Sequence, residues 1–333
     1  MNTSISFPPA LPVGGHIRVV SPGFASLVHA PQRARRARSA LAALGFRVSY
    51  GSNCLKVDKS GECAGTPQDR AEDIHEAFSD PEVDLIMAAS GGPCDAVLPL
   101  LEPNVIRKSP KPFVGYCGNG ALNYYLASKV GLVSYYGQVF MTQFGEAGGP
   151  FKENIEAFRR ALMSTERLVC SPMPWRTNEW YNWLSPKQEG TRRQSNLAPS
   201  WHWLRRGRCR GTFIGAEIAV LLDLTQIFDI EMTDTILFLG YSAANDLPFA
   251  LQLERLAARI HLDQLHGMVV SCHPRLAPGE WAAEVDQALR QVIPESTIPI
   301  AANVDVGYLD PTWVVPYGST ATLDSRIGLV FRG

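Results

Sequence analysis

From His16 to Met163, short β-rich runs alternate with helical patterns, and this alternation constrains the fold more than any other feature of the 333-residue chain. His16 to Ser21 (HIRVVS), Phe46 to Tyr50, Val83 to Ala88, Phe113 to Tyr116 and Leu132 to Tyr136 read as strands. Between them, Gln32 to Leu44 places Ala34, Ala37, Leu41 and Leu44 at helical spacing. Thr66 to Phe78 opens with a Thr cap, a first-turn Pro and early acids, as a helix start does. Asp95 to Leu101 reads as a weaker helix interrupted by Pro99, followed by helices over Ala121 to Lys129 and Lys152 to Met163. Successive strands joined through helices pair in parallel, with helices covering both faces of the sheet. The predicted class is therefore α/β.

Within that frame one corner stands out. The strand Phe113 to Tyr116 ends at Cys117-Gly-Asn-Gly, and a helical pattern resumes at Ala121. A side chain on so tight a strand-to-helix turn is pushed out of the sheet into a cleft. The unpaired N–H groups of the next helix can stabilise an anion there and favour thiolate over thiol. The alternative for Cys117 is a small buried residue in a sheet corner.

From Arg167 to Trp201 the pattern stops. The stretch is rich in Trp, Pro, Asn, Ser and Arg, and reads as a linker with a long loop carrying Trp180 and Trp183. A second domain begins near Trp203. It has expected strands at Gly211 to Ala216, Thr235 to Leu239, Met268 to Ser271 and Ile298 to Ala301, helices over Leu247 to Ile260 and Trp281 to Val292, and short β-rich runs from Thr312 to Phe331. The expected division is 1–166, 167–202 and 203–333.

Composition narrows the function. At 46% hydrophobic, 19% charged and net charge −1, the chain suits a globular protein with a large core and lacks the basic field that nucleic acid or an anionic membrane would attract. No run reaches membrane-span length, and the N-terminus lacks a signal-peptide pattern, so a cytoplasmic location is expected. The seven cysteines are scattered, with no CxxC pair, which suits reduced thiols. No metal-ligand spacing and no cofactor motif is present, so neither a metal nor a cofactor is expected.

Several segments carry a resemblance when taken together and in order. They are RVVSPG, Ser90-Gly-Gly, the Lys111-to-Tyr116 strand, Tyr136-Gly137, NEWYNWL, RGTFIGAEI, ILFL, Leu253-Glu-Arg255 and VPYGSTATLD. The chain resembles the LD-carboxypeptidase family of serine peptidases, and is closest to the branch containing the microcin C immunity proteins, which cut the amide of an aminoacyl-nucleotide analogue. The resemblance implies a flavodoxin-like N-terminal domain, a smaller β-rich C-terminal domain, an active site between them and a homodimer.

The family's catalytic residues do not carry over. Where its corner reads Gly-Tyr-Ser-Asp, this chain has Gly115-Tyr116-Cys117-Gly118. The Glu after ILFL is replaced by Gly240, followed by Tyr241, and the late His by Tyr308. The Gly-Gly-Asn of the second domain becomes Gly215-Ala216-Glu217. No His follows His273, the one remaining histidine on a loop worth weighing as a base, with an ordinary loop role the simpler reading. Asp246, Asp305 and Asp310 are acids near the altered positions, although such residues more often cap turns.

Cys117 and Tyr308 are thus the candidate catalytic pair. The backbone N–H groups of Gly92 and Gly118 are the candidate oxyanion donors, by analogy with the family turn at Gly91-Gly92. Ser90, Gly91, Tyr116, Asn119, Trp180, Trp183, Glu217, Gly240 and Tyr241 are candidate substrate contacts. A thiol needs less help than a hydroxyl to attack, and losing the relay suits a donor with a good leaving group. Three functions remain open. The first is acyl transfer or cyclisation on a peptide-like or acyl thioester substrate, as in natural-product biosynthesis. The second is binding of a peptide or aminoacyl-nucleotide without chemistry. The third is amide hydrolysis with a relocated base.

Overall fold

The computed structural model describes residues 5–177, 185–197, 200–242 and 247–332. Two sheets form its frame, each covered by helices. The expected α/β class is the observed one.

The first sheet is built from β1 (His16–Val20), β2 (Arg47–Tyr50), β3 (Leu85–Ala88), β4 (Phe113–Gly115) and β5 (Ser134–Tyr136). Their order across the sheet is β2-β1-β3-β4-β5, all parallel, which is the flavodoxin arrangement. Order reverses between β1 and β3. In such sheets the crevice beyond the carboxyl ends of the strands at that reversal is where ligands sit. The turns leaving β3 and β4, at Ser90-Gly91-Gly92 and Tyr116-Cys117-Gly118, both open there.

The second sheet contains β6 (Leu168–Cys170), followed in the chain by a separate two-stranded pair, β7 (Arg176–Thr177) and β8 (Ser195–Leu197). Its other strands are β9 (His202–Arg205), β10 (Arg208–Glu217), β11 (Thr235–Gly240), β12 (Gly267–Ser271) and β13 (Ile300–Val304). The chain closes through β14 (Val315–Tyr317), β15 (Thr320–Asp324) and β16 (Gly328–Phe331). The eight-stranded order is β6-β16-β15-β10-β11-β12-β13-β9. Strands β10 to β13 run parallel, while β15, β16 and β6 extend the sheet in antiparallel fashion.

Two segments lie elsewhere than the sequence suggested. The patternless stretch after Arg167 contributes β6 to the second sheet, because Leu168 and Cys170 are buried on one of its faces. Strand β14, from the closing run, leaves the second domain and pairs antiparallel with β5 as the sixth strand of the first sheet. Val315 and Tyr317 are fully buried there.

Local sequence explains the helices that frame the crevice. Pro67–Ser79 starts with a reciprocal cap, in which Thr66 Oγ1 accepts from Asp69 N at 3.2 Å and Asp69 Oδ2 accepts from Thr66 N at 2.8 Å. The helix Gly120–Tyr125 begins with glycine because its first turn lies directly on β10: a Cβ on Gly120 would stand 2.6 Å from Ala216 Cβ. This close approach draws the Cys117 corner of one domain against the end of β10 in the other.

A buried charge network joins the two lobes beside the crevice. Arg33, Glu146 and Asp310 have no exposure. Arg193 donates from Nε to Glu146 at 3.0 Å and from its guanidinium to Asp310. Asp310 also accepts from Gln143 Nε2 at 3.1 Å and Asn154 Nδ2 at 2.8 Å. Its own backbone N–H donates to Thr177 Oγ1 at 3.1 Å.

Candidate active site

Cys117 adopts φ 60, in the left-handed region that non-glycine residues rarely occupy. The strand-to-turn transition forces this conformation, which aims the side chain out of the sheet. The residue keeps partial exposure, unlike Cys54, Cys94, Cys170 and Cys272, which are buried. Its backbone N–H donates to the Tyr136 hydroxyl at 3.3 Å. Cys94 holds the next peptide, its thiol donating to Gly118 O at 2.8 Å.

Glycine is required around the thiol. A Cβ on Gly91 would stand 2.7 Å from Cys117 Sγ, and one on Gly118 only 1.8 Å from Gly92 O. The two turns therefore interlock backbone to backbone, which no side chain would permit. Phe24 N–H fixes the first turn by donating to Gly91 O at 3.1 Å. The N–H groups of Gly92 and Gly118 both act on the sulfur, favouring its ionised form.

The third component comes from the second domain. Glu217 ends β10, buried at 6% exposure, and its Oε2 lies 3.6 Å from Cys117 Sγ, which donates to it. The same oxygen accepts from the Tyr308 hydroxyl. Tyr308 stands edge-on to Tyr116, ring centroids 5.4 Å apart. Cys117, Glu217 and Tyr308 thus share one carboxylate oxygen as their meeting point.

Electrostatics set the resting proton positions. Burial pushes the Cys117 thiol up to about 12, and the Glu217 charge adds to this, against the opposing pull of Tyr308 and the Gly92 and Gly118 N–H groups. Burial also raises the Glu217 carboxyl, although bonds from Tyr308, Cys117 and Ser242 counter it. Burial, then the Cys117 and Glu217 charges, hold the Tyr308 phenol well above its usual value. At rest the thiol and the phenol both keep their protons and face the Glu217 carboxyl group.

The other candidates divide. Ser90 is buried and its hydroxyl donates to Ser26 Oγ at 2.8 Å. Asn119 is a staple, with Nδ2 donating to Ser90 O at 2.9 Å and Tyr116 O at 2.8 Å. Tyr116 is buried behind Tyr308. Gly240 is the in-register partner of Glu217 on β11. Tyr241 packs in an aromatic cluster with Phe249, Trp281 and His273, and its hydroxyl donates to Leu247 O at 3.2 Å. His273 caps the following turn, its Nδ1 accepting from Arg275 N and Leu276 N, and burial lowers it to about 4.

Asp305 and Asp310 are bound up in structure. Asp305 accepts from Met173 N and Trp201 Nε1, and Asp310 belongs to the buried network. Trp180, Trp183 and Asp246 lie outside the described residues. Among the described residues no group of His, Cys, Asp or Glu is placed to hold a metal ion.

Comparison with known proteins fixes the family. Residues 17–137 match the LD-carboxypeptidase N-terminal domain, and residues 210–323 match the LD-carboxypeptidase C-terminal domain. The chain belongs to the LD-carboxypeptidase family. A putative carboxypeptidase of Bacillus subtilis, YocD, is 28% identical, over 95% of this chain and 95% of its own. The microcin C7 self-immunity protein MccF of Escherichia coli is 25% identical, over 94% of this chain and 92% of its own. A structure of MccF in complex with aspartyl sulfamoyl adenosine superposes with TM-score 0.85 at 21% identity, over 98% of each chain.

Among the described residues of this family member, no helix is long and apolar enough to cross a membrane. Sequence reasoning placed Glu217 only among substrate contacts. The available signal was a reciprocal exchange: an acid absent after ILFL, and an acid present where the family has Asn.

Proposed function

We propose that this chain is a cysteine-dependent acyl-transfer enzyme acting on an activated, peptide-like acyl donor such as a thioester. The observation that carries the reading is the Glu217 carboxylate, within hydrogen-bond reach of both Cys117 Sγ and the Tyr308 hydroxyl. A thiol pushed up to about 12 does not ionise unaided at neutral pH. It needs a base at the moment of attack, and Glu217 is the group in contact with it.

As the sulfur–carbon bond forms, Glu217 takes the thiol proton. The acyl oxygen becomes an oxyanion and accepts from the Gly92 and Gly118 N–H groups. The tetrahedral adduct then collapses. The bond to the leaving group breaks, and that group departs with a proton returned from Glu217 through the Tyr308 hydroxyl. An acceptor nucleophile attacks the acyl-cysteine, Glu217 takes its proton, and the thiol leaves reprotonated. With water as acceptor the outcome is hydrolysis. MccF, crystallised with aspartyl sulfamoyl adenosine, makes aminoacyl groups the first donors to try.

The raised thiol supports a second reading, ligand binding without chemistry. One experiment separates the two. Intact-mass spectrometry of the full chain incubated with aminoacyl and peptidyl thioesters should show one acyl adduct, absent in Cys117→Ala. No adduct and no thioester turnover, with ligand affinity equal in both proteins, would leave only binding.

A further inference from the structure

The antiparallel half of the second sheet carries a cationic cavity far from the thiol. β10 and β15 pair Arg208 with Asp324 and Arg210 with Thr322. Alternate residues on a strand share a face, so Arg208 and Arg210 stand side by side. Arg332 and Arg167 flank the paired residues Phe331 and Leu168 on β16 and β6. These four arginines, with Thr320 and Thr322, line a cavity of about 320 Å³. Ile327 and Val330 give it an apolar patch.

The charge is unbalanced. Four guanidiniums face one lining carboxylate, Asp324, whose Oδ2 is 3.5 Å from Arg208 Nε. Arg167, Arg210 and Arg332 are exposed and make no ion pair among the described residues. A charge on an edge strand such as β6 is ordinary protection against aggregation. Arg208 and Arg210 lie where β10 pairs with β15 alone, its pairing with β11 beginning at Thr212, but edge protection calls for one such charge and not for four converging on a single cavity.

We propose that this cavity binds a compact multianionic ligand carrying two or more phosphate groups. Guanidinium forks match phosphate oxygens two at a time, and the threonine hydroxyls add neutral donors. The volume is at the lower end of small-molecule sites. A lone phosphate would leave part of the surplus charge unmet, and a nucleic-acid backbone needs an extended cationic track rather than one basin. The site is separate from the thiol: from Arg210 to Glu217, β10 runs about 23 Å.

The test is isothermal titration of the full chain with inorganic pyrophosphate and tripolyphosphate, alongside orthophosphate and a short single-stranded oligonucleotide. Pyrophosphate and tripolyphosphate should bind more tightly than orthophosphate, and more weakly as salt rises. Arg210→Ala and Arg332→Ala should each weaken binding about tenfold, with thermal melting unchanged. Cys117→Ala should leave the binding intact. The proposal is overturned by absent binding, by binding that survives both arginine substitutions, or by an oligonucleotide that outcompetes tripolyphosphate.

Discussion

Glu217 and Gly240 are directly opposed residues on the parallel strands β10 and β11. The family resemblance puts an acid at the second position and an amide at the first; here the acid stands at the first and glycine at the second. A Cβ on Gly240 would already lie 3.2 Å from Glu217 Cα. The carboxylate has moved one strand across, to where it meets the thiol directly.

Glu217→Gln preserves the shape of the site and removes the proposed base. Acylation of Cys117 by a thioester should slow by about 10²–10⁴-fold. In the parent protein the rate should rise with pH through a carboxyl held above 4.5, since the base must be ionised to act. Rate–pH profiles of the two proteins check this; an unchanged acid limb in the variant would assign the titration to another group.

Tyr308→Phe removes a bond that favours the ionised carboxyl. The Glu217 carboxyl should rise further, so the acid limb should move to higher pH while folding stability changes little. Stopped-flow acylation across a pH series would detect the displacement, and a shift toward lower pH would contradict the assigned role.

Gly118→Ala is expected to abolish acylation and lower stability by about 2 kcal/mol or more, because the new methyl group would collide with Gly92 O, 1.8 Å away. Urea unfolding and adduct formation should fail together. Retention of both would mean that the two turns can part without loss.

Asp310→Ala takes away one of the two carboxylates that hold the buried Arg193 guanidinium, leaving Glu146 as the other, and removes the shared acceptor of the Gln143 and Asn154 amides. Breaking one side of such a pair costs about 3–5 kcal/mol. Asp310→Asn, which keeps the shape, should cost less. Denaturant midpoints of the three proteins at neutral pH measure the order, and equal midpoints for parent and Ala variant would show that solvent reaches Arg193.

The sequence made the first sheet legible because each of its strands is a short apolar run set off by an amphipathic helix. The corner at Cys117 was equally plain, since Gly115, Gly118 and Gly120 bracket it and only backbone can pass so close to backbone. The role of Glu217 was not. It depends on the register of β10 against β11 and on Gly120 seating one domain against Ala216 of the other, and neither pairing leaves a local pattern. Nor was the setting of Tyr241. It follows the altered Gly240 directly, yet its ring packs with Phe249, Trp281 and His273, which are distant in sequence.

Strand β14 carries the late part of the polypeptide back to β5 of the first sheet. During synthesis the first sheet must wait, one edge unsatisfied, until Tyr317 has emerged from the ribosome. Cutting the gene between the lobes would therefore yield an amino-terminal fragment with β5 bare and prone to stick to its own kind. Cys117 and Glu217 are carried on different lobes, so such a fragment would also hold the thiol without the carboxyl group that faces it.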